Sequence, residues 1–266
     1  MKRVLFIFAI LGLTTVVAFG QVRENRPVSG FTGITASGAF NITVQRGSSE
    51  SLVIETDAVV MPHVRSEVRD GVLYLHLDRD FRNRNVDVLN VTIVMQNFEQ
   101  ATLSGASNLT ANDLFTPNRF RLASSGASNI TINLNTGNLE IQGSGASNIN
   151  INANVSEYTR LAIAGASNIR GSLTTEQANF TLSGAADVVI NGSASNANIG
   201  IGGASNVNLV GFPIRVASVT VSGASDLTIN ATDTLTIGVG GMSNVRYTGS
   251  ATVQRTVNRT ANMRRL

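Results

Sequence analysis

The chain has 266 residues, 42% of them hydrophobic by the broad count and 14% charged, with 25 glycines, 4 prolines, 2 histidines, no cysteine and no tryptophan. Zero cysteine excludes a disulfide scaffold, a thiol nucleophile and any Cys-ligated metal site, and two histidines leave little for a His-rich metal centre. The formal charge of +3 belongs to the ends of the chain: without Lys2 and Arg3 it falls to +1, and without Arg255, Arg259, Arg264 and Arg265 the body stands at −3, so no basic face interleaved with aromatics supports nucleic-acid binding.

In chain order, the first element is an address. Lys2 and Arg3 precede an apolar run from Val4 to Phe19, and Ala18-Phe19-Gly20 places small residues at −3 and −1 of a cut before Gln21. Residues 1–20 are therefore expected to be a secretory signal peptide, too short for a bilayer span of about 20 apolar residues. No cysteine stands near the cut, which excludes a lipoprotein anchor, and no later run is long enough to span a membrane. Residues 21–30 are expected to form a linker. From residue 31 to 100, Val53 to Glu55, Val72 to Leu77 and Val86 to Met95 alternate like strands, and Arg69-Asp70-Gly71 has the composition of a hairpin turn. This stretch is expected to be a mixed or antiparallel β cap that leads into a repeat region and covers its first coil.

From residue 101 a single motif sets the fold. Ser104-Gly105-Ala106-Ser107-Asn108 recurs with corner glycines at Gly126, Gly145, Gly165, Gly184, Gly203, Gly223 and Gly241, spaced 21, 19, 20, 19, 19, 20 and 18 residues apart. Ser37-Gly38-Ala39-Phe40-Asn41 is a looser, earlier copy. The residue four after each tandem glycine is aliphatic (Leu109, Ile130, Ile149, Ile169, Val188, Val207, Leu227, Val245), and the residue four before it is apolar. Period-2 alternation on both sides of a small-residue corner, repeated about every 20 residues, predicts an all-β chain folded as a parallel β-helix. The glycines would supply a positive φ or a close backbone approach at each corner. The regular coils are expected to end at residue 250, followed by a basic tail, 251–266, that either covers the last open edge or stays disordered.

The repeated Ser-Gly-Ala-Ser-Asn corners, the opening Phe31-Thr32-Gly33-Ile34 with Ser37-Gly38-Ala39-Phe40-Asn41-Ile42-Thr43-Val44, and Gly71-Val72-Leu73-Tyr74-Leu75 resemble the head GIN domain family of exported bacterial proteins, also called putative autotransporter adhesins. The resemblance spans about Phe31 to Ser250. It implies a β-helical domain exported in a Gram-negative cell, a surface-binding role, and no catalytic residues.

The candidate functional feature is the polar column that the corners would stack along one edge: Asn108, Asn129, Asn148, Asn168, Asp187, Asn206, Asp226 and Asn244. Its first reading is an asparagine ladder, amide bonded to amide or to the corner backbone. Its second is a polar ribbon for a glycan or surface protein, with Ser107, Ser128, Ser147, Ser167, Ser205, Ser225 and Ser243 beside it. Asp187 and Asp226 lie two coils apart, about 9.6 Å by strand spacing, near the upper separation of inverting glycosidase carboxylates. No Arg, His or Tyr cluster flanks them in sequence, and calcium would want more oxygen ligands. His63 and His76 read as cap residues, Asp78 to Arg84 as a solvated loop. The expected chain is thus a non-enzymatic binding module with no cofactor and no metal. A β-helical polysaccharide lyase or hydrolase, or a structural envelope protein, stands as the alternative.

Overall fold

The computed structural model describes residues 20–81 and 88–266. The expected signal peptide, Gly20 apart, lies outside the described residues, as do 82–84 of the charged loop and 86–87 of the third expected strand.

The molecule is a β-solenoid. Its regular part comprises β11 (Asn129–Gly143), β12 (Asn148–Ile163), β13 (Asn168–Leu182), β14 (Asp187–Ile201), β15 (Asn206–Val221) and β16 (Asp226–Val239). Each is one long strand bent at its middle, followed by a four-residue corner. Neighbouring coils pair in parallel and in register, Asn129 on Asn148 on Asn168 on Asp187. The register slips at the mid-strand bend, between Thr136 and Asn138 and between Val155 and Tyr158. Bulges there absorb the differing coil lengths while the corner motif keeps the columns aligned.

Alternation places the aliphatic columns inside. Ile130, Ile149, Ile169, Val188 and Val207 are at most 2% exposed, as are Ile132, Ile151, Ile190, Leu209 and Ile229. Phenylalanines fill the wider parts of this core. Phe98 meets Phe115 and Phe120 edge to face, at 5.4 and 5.1 Å between ring centres, and Phe180 lies 6.1 Å from Phe212.

At the N-terminal end the chain order and the spatial order differ. The pair β2 (Gly33–Gly38) and β3 (Asn41–Arg46) forms a coil around the looser corner. On one side it stacks on β8 (Gln100–Gly105) and β9 (Asn108–Phe115), which lead through β10 (Arg119–Ser124) into the regular coils. On its other side, also in parallel, it carries β6 (Val72–Leu77) and β7 (Leu89–Met95). The cap is closed by antiparallel strands: β5 (Val64–Arg69) on β6, β4 (Ser51–Asp57) on β7, and β1 (Gln21–Arg26) on β4. The expected mixed cap is present, and the Asp70-Gly71 hairpin turn has both residues at positive φ, 48° and 74°.

Two boundaries change. Residues 21–26 are a strand and not a linker, because β1 supplies the outer edge of the cap. Arg26 anchors it, donating from Nη1 to the Val64 carbonyl at 2.7 Å and to Ser66 Oγ at 3.1 Å. The basic tail is not loose: β18 (Thr252–Val257) pairs with β16, and β19 (Asn262–Arg265) pairs with β17 (Asn244–Thr248). It forms one more coil without a glycine corner.

The corner glycines answer to close approach. A Cβ on Gly145 would stand 2.1 Å from the Gly126 carbonyl oxygen, and one on Gly165 2.0 Å from that of Gly145. Positive φ is confined to part of the set, Gly105, Gly203, Gly223 and Gly241 among them.

Candidate functional site: the outward amide face

The corner directs its two polar residues to opposite sides. The serine, two residues after the glycine, shares the parity of the core aliphatics; the asparagine, three after it, faces outward. Ser147, Ser167, Ser205, Ser225 and Ser243 are at most 2% exposed. Their Oγ atoms donate to the glycine carbonyl of the preceding coil at 3.1–3.3 Å. Ser167, Ser225 and Ser243 also accept the backbone N–H of the preceding serine. The serines expected beside the polar ribbon therefore belong to the interior, where a hydroxyl is the smallest group that can bond the buried corner backbone. Ser128 is the exception, with a buried Oγ that has no partner. Ser167→Ala should accordingly lose about 1–2 kcal/mol in urea unfolding, whereas Ser128→Ala should be neutral or slightly stabilising.

The asparagine column stands on the surface. Asn129, Asn148, Asn168, Asn206 and Asn244 are exposed; Asn108, Asp187 and Asp226 are half-buried. From Asn108 to Asn168 the amide Nδ2 donates to the Oδ1 of the coil before: Asn108 to Asn41 (2.8 Å), Asn129 to Asn108 (2.7 Å), Asn148 to Asn129 (2.8 Å) and Asn168 to Asn148 (2.8 Å). Two members were missed from sequence, Asn41 and Asn90, the former donating to the latter at 3.3 Å. The signal was available: Asn41-Ile42-Thr43-Val44 and Asn90-Val91-Thr92-Ile93 share the asparagine–aliphatic–threonine–aliphatic start of Asn129-Ile130-Thr131-Ile132.

The two aspartates interrupt the column chemically but not geometrically. A carboxylate has no proton to give, so Asp187 donates nothing to Asn168. It accepts instead, from Asn206 Nδ2 at 3.1 Å and from Arg170 Nη2 at 2.8 Å. Arg170 is a flanking group that linear reading did not find, since it reaches Asp187 only across the coil spacing. Both aspartates are half-buried at the surface, and no group of three metal-ligating side chains occurs among the described residues.

Beside the column the outward positions form further rows. Thr43, Thr110 and Thr131 are in register two residues on. Four residues on, Asn152 Nδ2 donates to Asn133 Oδ1 at 3.0 Å, and Ser172 Oγ to Asn152 Oδ1 at 3.0 Å. Around Asn129 to Ser172 the surface is thus a lattice of amides and hydroxyls. An Asn side chain offers two donors and two acceptor lone pairs, and at Asn108, Asn129 and Asn148 the ladder uses one of each, so these rungs keep one N–H and one lone pair for solvent or a ligand.

The other outward face differs. An open groove of about 370 Å³ runs over Thr102, Ala123, Gln142, Ala162 and Thr181. Beside it the Gln142 amide, and then Arg121, hold the Glu140 carboxyl below the usual carboxylate range. His63 lies in the cap, stacked on Phe81 at 4.4 Å with Nδ1 3.5 Å from Asp78. His76 sits half-buried on β6. Neither histidine joins the column.

Comparison with known proteins agrees with this architecture. The chain covers 92% of its length, and 96% of the other chain, against a putative adhesin from Parabacteroides merdae ATCC 43184 (TM-score 0.73, 17% identity). Against a putative adhesin from Parabacteroides distasonis ATCC 8503 the figures are 93%, 97%, 0.73 and 18%. A putative lipid binding protein from the same organism covers 91% of this chain and 96% of its own, at TM-score 0.66 and 16% identity. At such identities the likeness concerns the fold. No curated protein matches the sequence. The family model described as putative auto-transporter adhesin, head GIN domain, matches residues 30–171 and 155–251, and on that match the chain belongs to the head GIN domain family.

Proposed function

We propose that the protein is an exported, non-enzymatic binding module of the cell envelope, and that its outward amide face takes a glycan. The observation that carries this reading is the hydrogen-bonded asparagine column with its flanking threonine and asparagine rows. Amides already oriented by their neighbours lose little further side-chain entropy when a ligand binds. Their spare N–H groups and lone pairs match the paired donor and acceptor character of sugar hydroxyls. A face repeated at every coil suits a polymer of repeating units better than a small molecule, for which an enclosed pocket is the usual site. Adhesin-like relatives support a surface role. The ion pair that engages Asp187, and the open surroundings of both aspartates, speak against glycoside hydrolysis, which needs a protonated acid in a tuned environment.

The test is a glycan array with the purified chain. Binding should fall at least tenfold when Asn129, Asn148 and Asn168 are all replaced by alanine while the far-ultraviolet β signal is kept. An absence of glycan binding, or binding untouched by the triple variant, would overturn the reading. Product release from a bound polysaccharide that stops in Asp187→Asn or Asp226→Asn would instead establish the enzyme.

A further inference from the structure

The C-terminal end of the solenoid differs in charge from the rest. No Asp or Glu follows Asp233, while Arg246, Arg255, Arg259, Arg264 and Arg265 do. None of the five makes an ion pair among the described residues. They lie on the last two coils, β17 and the β18–β19 coil with its connecting turn.

Their placement is costly to the fold. Arg264 stands directly opposite Arg246 across the last rung, and like charges in that position destabilise a ladder. Arg255 is in register with Ile237, and Arg265 with Tyr247, which itself follows Ile229. Two core columns therefore end in guanidinium groups. A further coil or an added strand would have to bury those charges, so the free edge is closed to strand addition.

Exposed apolar side chains share this end. Met242 is 72% exposed, Leu266 62% and Val257 37%, three of the seven exposed large hydrophobic residues among the described residues. Cations alone would serve any polyanion. Cations that share the last two coils and their corners with exposed aliphatic side chains fit a surface with anionic head groups above an apolar layer.

We propose that the C-terminal end is a foot that docks the solenoid end-on onto an anionic phospholipid bilayer, with the amide face standing clear of it. Juxtamembrane Lys or Arg residues each contribute modestly to such binding, and the contribution fades within a Debye length as salt rises. The proposal does not depend on the glycan reading: Arg246 and Arg264 continue the row that holds Thr131, but they lie on the last two coils, away from the Asn129 to Ser172 lattice on which that reading rests.

The experiment is vesicle co-sedimentation of the full chain with phosphatidylcholine vesicles and with vesicles containing one-third phosphatidylglycerol. The N-terminal apolar segment is present in every sample, so the readout is the phosphatidylglycerol-dependent increment. That increment should be at least tenfold in affinity at low salt and should vanish in 0.5 M NaCl. It should also vanish in the combined Arg246→Gln, Arg255→Gln, Arg259→Gln and Arg264→Gln variant, and fall several-fold in Met242→Ser. The lateral Arg121→Gln and Arg160→Gln variant should keep it. Circular dichroism and thermal unfolding verify folding, and the salt dependence of the unmodified chain stands even if the quadruple variant misfolds. Equal binding to both vesicle types, or an increment that survives salt or survives the folded quadruple variant, would overturn the proposal. So would capture of soluble polyglutamate without capture of anionic vesicles, which would assign the end to an acidic protein.

Discussion

The Gly145→Ala chain is expected to unfold roughly 5–10 °C below the unmodified protein. The added methyl would meet backbone on the coil beneath it, 2.1 Å from the Gly126 oxygen and 2.8 Å from the Gly126 nitrogen. Backbone atoms cannot swing aside as a side chain can. The Ala146 N–H to Gly126 carbonyl bond, 3.0 Å long, would have to stretch, and the Gly165 corner stacks on the other side of the same residue. Forcing a methyl into a packed site costs typically 1–3 kcal/mol, and each kcal/mol lowers the midpoint of a chain this size by about 2–4 °C. Gly238→Ala is the control. A Cβ there meets nothing within 4 Å, so its midpoint should move by less than about 2 °C. Differential scanning calorimetry of the two variants separates a requirement for stacking from a general intolerance of alanine.

A second large effect is expected at the far end of the stack. Replacing Arg255 and Arg265 by isoleucine should turn the last coil into an adhesive surface. Among the described residues β18 and β19 pair with a strand on one side only, and Val253 and Met263 are partly covered. What prevents another chain from continuing the stack is the cost of burying two unpaired guanidinium groups, several kcal/mol for each ion. Isoleucine continues the columns of Ile237 and Ile229 and removes that cost. Sedimentation velocity should show the average mass rising with concentration at least tenfold earlier than for the unmodified chain. Identical sedimentation of both proteins would show that something other than these charges blocks the edge.

How much of this was legible beforehand depends on whether an element repeats. The coils were readable because Gly105 through Gly241 mark each corner, and parity from the corner then assigns Ile130 and Ile132 to the inside and Asn129 to the outside. The same parity assigns Ser128 and its equivalents to the inside. That signal was overridden by the expectation that serines beside asparagines join them on the surface. The last coil was hidden by the loss of its glycine corner, although Asn262-Met263-Arg264 matches Asn244-Val245-Arg246 residue type for residue type.

The cap order could not be read at all. Whether β2 and β3 end the stack or sit inside it is decided by long-range pairing of β6 and β7, and no local pattern encodes which edge a strand will join. The Arg170–Asp187 contact is of the same kind, since it joins residues 17 apart that only coil stacking brings together. Nothing in spacing alone distinguished a solitary aspartate from one already engaged.

The measurement that tests the central claim most directly compares the two outward faces against one glycan chosen from the array. One variant carries Asn129→Ala, Asn148→Ala and Asn168→Ala on the amide face; the other carries Thr102→Ala, Gln142→Ala and Thr181→Ala in the open groove. Isothermal titration should show affinity reduced at least tenfold in the first and unchanged within twofold in the second. Loss confined to the groove variant, with the amide variant binding as the unmodified chain does, would contradict the account.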